Sequence, residues 1–308
     1  MKHLEEVPWW ICDRDDTNYV AYSDTDSIYI HAEPLLKFLH PNFEEMESKD
    51  KDDALENIAL QYQDIITDSY SELAQNCFNT QEHRLEMKTE CVIRAAYFRA
   101  TRRYAQWITK SEGITKESLD IKGLEFKKAN FPPVLGKFFK ETLVDVLKGE
   151  QQTEIDSRIK AFREQILNGD IPLTDLGNPT GVKTLNKCVE RKAKAGEIFS
   201  AIAKGAPAAA KAAIVYNDLL RFWGLNKQHS YIVQGDKIKW VYLKSNPYHV
   251  DAIAISFDMP DKIRTFIDQY ADREKIFNSI LFNKLENFYL DLNWTLSLNE
   301  YKDKFFNF

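Results

Sequence analysis

The chain has 308 residues, of which 44% are hydrophobic and 29% are charged, as is typical of a globular protein long enough for two domains. No apolar run is long enough to span a bilayer and no signal-peptide segment follows Met1, so we expect no membrane partner. The net charge of −6 excludes a uniformly basic nucleic-acid binder. The four cysteines show no paired metal-ligand spacing, which indicates reduced thiols and a cytoplasmic location.

The charge is unevenly distributed along the chain. Residues 43–72 contain ten acidic residues and two lysines. Residues 88–148 contain thirteen basic residues against seven acidic ones, and residues 183–211 contain seven against two. An acidic block followed by two basic blocks fits a protein that offers part of its surface to phosphate groups. Ordinary solvated helix faces are the alternative explanation.

A polar hexapeptide lies between two short apolar runs near the start of the chain. The segment Tyr22–Ser27 follows Val20–Ala21 and precedes Ile28–Ile30, a pattern that predicts a β-hairpin. Its tip would carry Asp24 and Asp26, and carboxylate oxygens suit hard cations such as Mg²⁺ or Mn²⁺. Because Asp and Ser are also common in surface turns, a purely structural turn is the alternative.

The region up to residue 122 combines one long helix with several strands. Apolar residues recur with a helical period over Asp53–Phe78, which predicts an amphipathic helix that backs a sheet. Alternating polar and apolar residues predict a strand over Arg84–Ile93. A further strand pair is predicted at Ala95–Phe98 and Tyr104–Trp107, joined by Arg99–Arg103.

From residue 123 the pattern is mainly helical. The predicted elements are helices near 134–147, 155–167, 183–203, 208–223, 262–270 and 272–289, a loop at Gly177–Gly181, a β-hairpin formed by Ser230–Gln234 and Ile238–Lys244, and a strand at Ala252–Phe257. The expected fold class is α+β. It comprises an antiparallel sheet with a backing helix in residues 1–122 and a mainly helical region with a β-hairpin insertion in residues 123–308.

Three blocks resemble motifs of family B DNA polymerases, in the order in which that family has them. Tyr22–Ser27 resembles the third polymerase motif, Tyr-Gly-Asp-Thr-Asp-Ser, with Ser23 in place of the glycine. Arg102–Tyr104 resembles the basic-basic-Tyr block near the primer terminus, with arginine where lysine is more frequent. Ile121–Pro132, with its Lys122-Gly123 pair, resembles the Lys-Gly-x-Glu segment at which the family's chain passes from palm to thumb.

A fourth match, near residue 208, is weaker. Residues 208–217 resemble the thumb helix that carries a His-x-Arg-Gly-x-x-x-Tyr-Asn-type signature in that family. They keep Tyr216 and Asn217 but lack the histidine, and Lys211 is the main cation. We therefore take from this match only a helix near the duplex backbone.

The resemblance implies a set of roles. Residues 1–122 would form the C-terminal part of a polymerase palm, and residues 123–308 would form a thumb. Asp26 would be the ligand shared by two Mg²⁺ ions, with Mn²⁺ as an alternative, and Asp24 would support the turn or bind metal more weakly. The DNA-binding residues would be Arg102, Arg103 and Tyr104 at the primer end and Lys122, Lys127, Lys128 and Lys211 along the duplex. The implied activity is DNA-directed DNA synthesis from dNTPs on primer-template DNA, in viral replication in the host cell cytoplasm.

Other parts of the family's polymerase have no counterpart in the sequence. It contains no first motif, whose aspartate is the other main metal ligand, no second motif and no exonuclease signature. Because two-metal nucleotidyl transfer needs more carboxylates than this chain offers, we expect an N-terminal polypeptide to supply the fingers and the first palm motif. A naturally split polymerase and a truncated longer protein would give the same sequence.

The last residues, Leu296–Phe308, include Phe305, Phe306 and Phe308. Viral polymerases of this family often finish in a short apolar tail that docks into a sliding clamp, and aromatic side chains suit such a pocket. A tail that packs on its own thumb is the alternative.

Two other functions stay open. One is a non-catalytic duplex-binding subunit in which the Asp pair is degenerate. The other is a sugar-nucleotide transferase, since Asp-x-Asp also marks enzymes that bind a divalent ion in that class. The ordered match from Tyr22 to Pro132 argues against the second of these.

Overall fold

A computed structural model describes residues 19–80 and 82–295. The chain divides into two compact units, Met1–Leu124 and Glu125–Phe308, close to the predicted domain boundary at residue 122. The predicted clamp-binding tail, Leu296–Phe308, lies outside the described residues.

The first unit contains a hairpin, a three-stranded sheet and two helices in its described part. In chain order the elements are β1 (Val20–Asp24), β2 (Ser27–Ile30), α1 (Glu33–Leu39), a 3₁₀ turn (Phe43–Glu45), α2 (Ser48–Phe78), β3 (Cys91–Ala100), β4 (Arg103–Ser111) and β5 (Ile114–Lys122). β1 pairs with β2, and β3, β4 and β5 form an antiparallel sheet in sequence order. Both predicted strand pairings are confirmed, and β5 adds a strand that the sequence did not predict.

Paired charges connect α2 to this sheet. Lys110 of β4 is buried and donates hydrogen bonds to Asp53 and Glu56 of α2. Arg94 of β3 donates to the buried Asp52 at 2.6 Å. Because a buried charge is costly without a partner, these pairs fix the position of the helix on the sheet. The predicted backing helix is confirmed.

The segment before β3 differs from its prediction. Residues 84–90 form no strand, although their polarity alternates. The N–H group of Met87 donates to Thr67 at 3.2 Å, and that of Thr89 donates to Gln63 at 2.8 Å. Since side chains of α2 satisfy these backbone donors, the segment lies along the helix and needs no strand partner. The prediction of a strand is therefore wrong for this segment.

The second unit is mainly helical. Its elements are a 3₁₀ turn (Glu125–Lys127), α3 (Pro133–Leu147), α4 (Gln152–Asn168), α5 (Leu173–Leu176), β6 (Asn178–Gly181), α6 (Leu185–Cys188), β7 (Val189–Arg191), β8 (Ala201–Ile202), α7 (Ala208–Phe222), β9 (Lys237–Tyr242), β10 (Ala252–Ile255), α8 (Asp261–Tyr270), α9 (Arg273–Ile276), a π-helical turn (Phe277–Phe282) and α10 (Asn283–Asp291). β9 is the central strand of a sheet ordered β10-β9-β6, and β7 pairs with β8. The predictions that correspond to α3, α4, α7, β10 and α8 are confirmed.

Apolar stripes on these helices form the core of the second unit. Leu143 of α3 and Ile159 of α4 are completely buried, as is Tyr216 of α7. The Tyr289 hydroxyl donates to the buried Asp156 carboxylate at 2.7 Å. This hydrogen bond satisfies two polar groups that would otherwise be costly in an apolar interior.

The predicted basic helix over residues 183–203 is wrong. Only α6 is helical there, and Gly196 has a φ of +86°, which a right-handed helix does not allow. Polar contacts organise the segment instead. Arg191 pairs with Glu197 at 2.6 Å, and the Ser200 N–H and hydroxyl groups donate to Asp218 of α7.

The predicted hairpin between Ser230–Gln234 and Ile238–Lys244 is also absent from the described residues. The side-chain amide of Asn217 bonds to both the N–H and the C=O group of Ile232 at 2.8 Å. Those backbone groups are therefore already satisfied, and β9 pairs with β10 and β6 instead. The loop predicted at Gly177–Gly181 contains β6, a strand at the edge of its sheet, where proline is tolerated.

The described residues form an α+β fold whose sheets are small and antiparallel. Among their helices, none combines the length and the apolar character that crossing a membrane requires.

Candidate functional site

The turn between β1 and β2 has an uncommon backbone. Thr25 has a φ of +57°, and the N–H group of Asp26 donates to the carbonyl of Asp24 at 2.7 Å. This bond and this φ are those of a γ-turn around a β-branched residue, which is rare. Ser23 lies in β1 and has no positive φ. The replacement of the motif's glycine by serine therefore requires no left-handed backbone.

Asp24 is bound by Arg102 from the β3–β4 turn. Arg102 Nε donates to Asp24 Oδ2 at 2.9 Å, and Nη2 donates to Oδ1 at 3.3 Å. The Thr25 hydroxyl donates to Oδ1 at 3.1 Å. Hydrogen bonds from Arg102 and then Thr25 lower the pKa of Asp24, and the carboxylate in turn raises the pKa of Arg102. A forked ion pair thus joins two predicted site residues that are far apart in the sequence.

The main chain of the β3–β4 turn is held independently of this ion pair. The N–H group of Arg102 donates to the Tyr22 hydroxyl at 3.0 Å, and Arg102 has a φ of +60°. Gly123 has a φ of +64°, and a Cβ atom there would lie 2.0 Å from the Arg102 carbonyl oxygen. Only glycine permits both this φ and this approach without displacement of the backbone. The block that contains Gly123 therefore packs directly against the Arg102–Tyr104 block.

Four aromatic rings connect the hairpin to the sheet. Tyr22, Tyr29, Phe98 and Tyr104 contact one another with centroid separations of 5.3 to 6.0 Å. The hydroxyls of Tyr29 and Tyr104 lie 3.3 Å apart. Burial, followed by this hydrogen bond, raises the pKa of Tyr29. Aromatic pairs with such spacing contribute about 0.5–1.5 kcal/mol beyond their burial, so the cluster stabilises the hairpin on the sheet.

Lys122 places a positive charge beside the aromatic cluster. It lies opposite Tyr104 in the β4–β5 register, and its Nζ is 5.6 Å from the centroid of the Tyr104 ring. Hydrogen bonding with Tyr104 raises the pKa of Lys122. The exposed ammonium group therefore stays charged at neutral pH beside the ring.

Asp26 differs from Asp24 in that its carboxylate is open. Asp26 is exposed, and its side chain makes no hydrogen bond or ion pair within residues 19–80 and 82–295. Nor do those residues contain a group of three or more His, Cys, Asp or Glu that could hold a metal ion. Asp24 could serve as a ligand only after release from Arg102. The available oxygens suit a hard cation in kind, but they are too few for two ions.

The remaining predicted residues lie around or outside this network. Arg103 is exposed at the start of β4. Lys127, Lys128 and Lys211 belong to the second unit, where all three are exposed. The structure thus brings together Asp24, Arg102, Tyr104 and Lys122, with Asp26 at the tip of the same hairpin.

No protein-family model matches the chain, and no curated protein matches it. The resemblance to family B polymerases therefore rests on the three motif blocks, the third of which begins in the first unit and continues into the second.

Sequence reasoning missed the aromatic half of the site. The sequence predicts Tyr22 only as part of a motif, and it predicts no role for Tyr29 or Phe98. Tyr22 and Tyr29 are directly opposite each other in the hairpin register. Aromatic residues at facing positions of a predicted hairpin were the available signal, because such cross-strand pairs stabilise sheets.

Proposed function

We propose that this chain is the C-terminal palm-and-thumb part of a family B-type DNA-directed DNA polymerase that acts in viral DNA replication with a partner polypeptide. The observation that supports this most strongly is the contact between the three motif blocks. Arg102 bonds to both Asp24 and Tyr22, and Gly123 packs against Arg102. Blocks that resemble motifs of one family and that also contact one another fit a single site better than three unrelated turns.

In this proposal the first unit grips the primer end. Arg102, Arg103 and Lys122 supply positive charge for backbone phosphates, which position a duplex without reading its sequence. Tyr104 is buried, so its role is to position Lys122 and the β3–β4 turn rather than to pack on a nucleotide. In the second unit, Lys127, Lys128 and Lys211 would contact the duplex backbone.

The acidic hairpin would contribute to a metal site that is completed by another polypeptide. A Mg²⁺ ion bound there would neutralise charge on the reacting phosphate. Asp26, exposed and unpaired among the described residues, is the carboxylate available for that ion. The partner polypeptide would have to supply the aspartate of the first motif.

Primer extension tests the catalytic part of the proposal. The chain is assayed alone, together with a polypeptide that carries the first and second motifs, and in the same mixture with Asp26→Ala. We expect synthesis only in the mixture with the wild-type chain, because the carboxylates of both chains are needed. Undiminished synthesis with Asp26→Ala would exclude a catalytic role for this hairpin.

Fluorescence anisotropy with a primed DNA hairpin tests whether the first unit binds duplex DNA through its cations. Lys122→Ala is expected to weaken binding and to reduce the slope of log affinity against log salt by about one, as loss of one phosphate contact does. The matched control is Lys116→Ala, an exposed lysine about 20 Å away on the same strand, which should change neither quantity. Equal effects of the two substitutions would argue against a defined site.

A non-catalytic duplex-binding subunit is the second candidate. The engagement of Asp24 by Arg102 favours it, because one of the two motif carboxylates is then unavailable to a metal ion. This alternative predicts that Asp26→Ala leaves both DNA affinity and the synthesis by the assembled enzyme intact.

A further inference from the structure

Three cations are proposed to hold the primer end, namely Arg102, Arg103 and Lys122, and among the described residues only Arg102 is paired with an acidic side chain. Its guanidinium forms a two-point contact with the Asp24 carboxylate, at 2.9 and 3.3 Å. Arg103 and Lys122 form no ion pair with an acidic side chain within residues 19–80 and 82–295. Among the described residues, Arg102 is therefore held in an ion pair, whereas Arg103 and Lys122 are not.

The geometry points to a masked phosphate-binding position. The planar fork of an arginine matches a carboxylate and a phosphate equally well, and the same two N–H groups cannot serve both at once. We propose that the Asp24 carboxylate occupies the position of a DNA phosphodiester on Arg102 in the free chain, and that a phosphodiester displaces it on binding. This inference rests on the proposed function, since it takes duplex DNA as the ligand.

The ion pair is placed so that it can open. The Arg102 side chain is 74% exposed and that of Asp24 is 28% exposed. Exposed pairs of this kind are weak, because water competes for both partners. A DNA backbone already held by Arg103 and Lys122 would present a phosphate to Arg102 at high local concentration, which favours the exchange.

The turn itself does not have to move for this exchange. Its main chain is fixed by the Tyr22 hydroxyl on the Arg102 N–H group and by the close approach of Gly123. Neither contact involves the guanidinium. The exchange needs only side-chain rotation of Arg102 or Asp24, and it frees the Asp24 carboxylate.

The test measures DNA affinity and its salt dependence for the full chain, in EDTA so that divalent ions play no part. The probe is the primed DNA hairpin, and the variants are Asp24→Asn and Asp26→Asn. Both remove one negative charge from the same turn, but only Asp24 is paired with Arg102. We expect Asp24→Asn to bind about two- to fivefold more tightly, the range that an exposed ion pair allows. Its salt slope should stay close to that of the wild-type chain, because Arg102 contacts a phosphate in both complexes and the substitution removes only the cost of separating Arg102 from Asp24.

Asp26→Asn supplies the matched control. Its gain in affinity should be smaller, because it removes charge without releasing a cation. Equal gains in affinity for the two variants would overturn the inference, since simple charge removal would then explain both. Weaker binding by Asp24→Asn would also overturn it, because Asp24 would then be orienting Arg102 toward DNA.

An Arg102→Met background separates this inference from the proposed function. In that background Asp24→Asn should give no more gain than Asp26→Asn, since there is no guanidinium to release. If Arg102→Met alone leaves the affinity unchanged while Lys122→Ala lowers it, the masked position is refuted and the DNA grip survives. If neither the wild-type chain nor any variant binds the probe, the DNA-binding role itself fails. Circular dichroism on each variant verifies that the chain is folded.

Discussion

The two units of the chain are stabilised in different ways. Eleven of the twelve largest completely buried side chains of the described residues lie in the second unit, and Leu36 is the exception. Eight of the thirteen exposed large apolar side chains of those residues lie in the first unit. The first unit has a smaller apolar cluster around Leu36 and Ile58, and it relies more on paired charges, such as that of Lys110 with Asp53, and on one aromatic cluster.

This difference indicates where each unit tolerates change. A dense apolar core responds to the loss of a few methyl groups, because the space left behind does not close completely. The stability of a network of ion pairs and glycine contacts depends instead on pH and on substitutions that change the backbone conformation. The candidate site lies in the unit of the second kind, where its side chains stay accessible to a ligand.

The largest effect should come from the core of the second unit. Leu143→Ala is expected to lower the free energy of unfolding by about 2–5 kcal/mol, because Leu143 is completely buried. Urea denaturation, combined with hydrogen exchange of second-unit peptides, measures the change. The control is Leu290→Ala, which is 65% exposed and should cost about 0.5 kcal/mol or less. Similar costs for both would mean that this core is not tightly packed.

A backbone substitution in the first unit comes next. Gly123→Ala should cost about 1–3 kcal/mol, since it adds a clash with the Arg102 carbonyl to an unfavourable φ. Gly113→Ala is the matched control: its φ is +79°, but its Cβ would meet nothing closer than 3.7 Å. We expect Gly123→Ala, and not Gly113→Ala, to increase hydrogen exchange in the β3–β4 turn and to weaken DNA binding. The reverse order would show that the close approach is unimportant.

The smallest expected effect is on the pH dependence of the stability of the first unit. A hydrogen bond from Lys110 lowers the pKa of Asp53 below its unfolded value of about 3.9. The stabilisation by this pair is therefore complete above about pH 5 and is lost as the pH falls through the folded pKa. The stability difference between wild type and Asp53→Asn should be constant near neutral pH and shrink in acid. Acid titrations followed by circular dichroism measure it.

The control for this pH effect removes the cation. In a Lys110→Met background, Asp53→Asn should leave the acid titration unchanged, because the carboxyl group has lost its partner. A difference that instead grows toward low pH would contradict the assignment, since it would require a raised pKa for Asp53.

Periodic patterns predicted much of this fold from the sequence. The helices α2, α3, α4 and α7 follow apolar stripes, and the β1–β2 hairpin follows two apolar runs around a polar turn. The resemblance to the polymerase motifs also identified Asp24, Arg102, Tyr104 and Lys122, which lie close together in the first unit. Such patterns are local, and short-range physics determines them.

The predictions that are wrong concern segments whose structure depends on contacts with residues far away in the sequence. Residues 84–90 and 230–234 took other structures because Gln63, Thr67 and Asn217 bond to their backbones from distant positions. The Asp24–Arg102 pair is equally non-local. No periodic pattern in the sequence indicates that a side chain will bond to a remote backbone group, so these contacts are evident only in the folded structure.

The position of Pro179 in β6 bears on self-association. β6 lies at the edge of its sheet, and β9 is the strand with which it pairs among the described residues. An edge strand can recruit a strand from another molecule, which begins aggregation. Pro179 has no N–H group, so this edge lacks one of the donors that an added strand would need. This edge of the sheet should therefore resist the addition of a strand from another molecule at high concentration, whatever ligand the first unit binds.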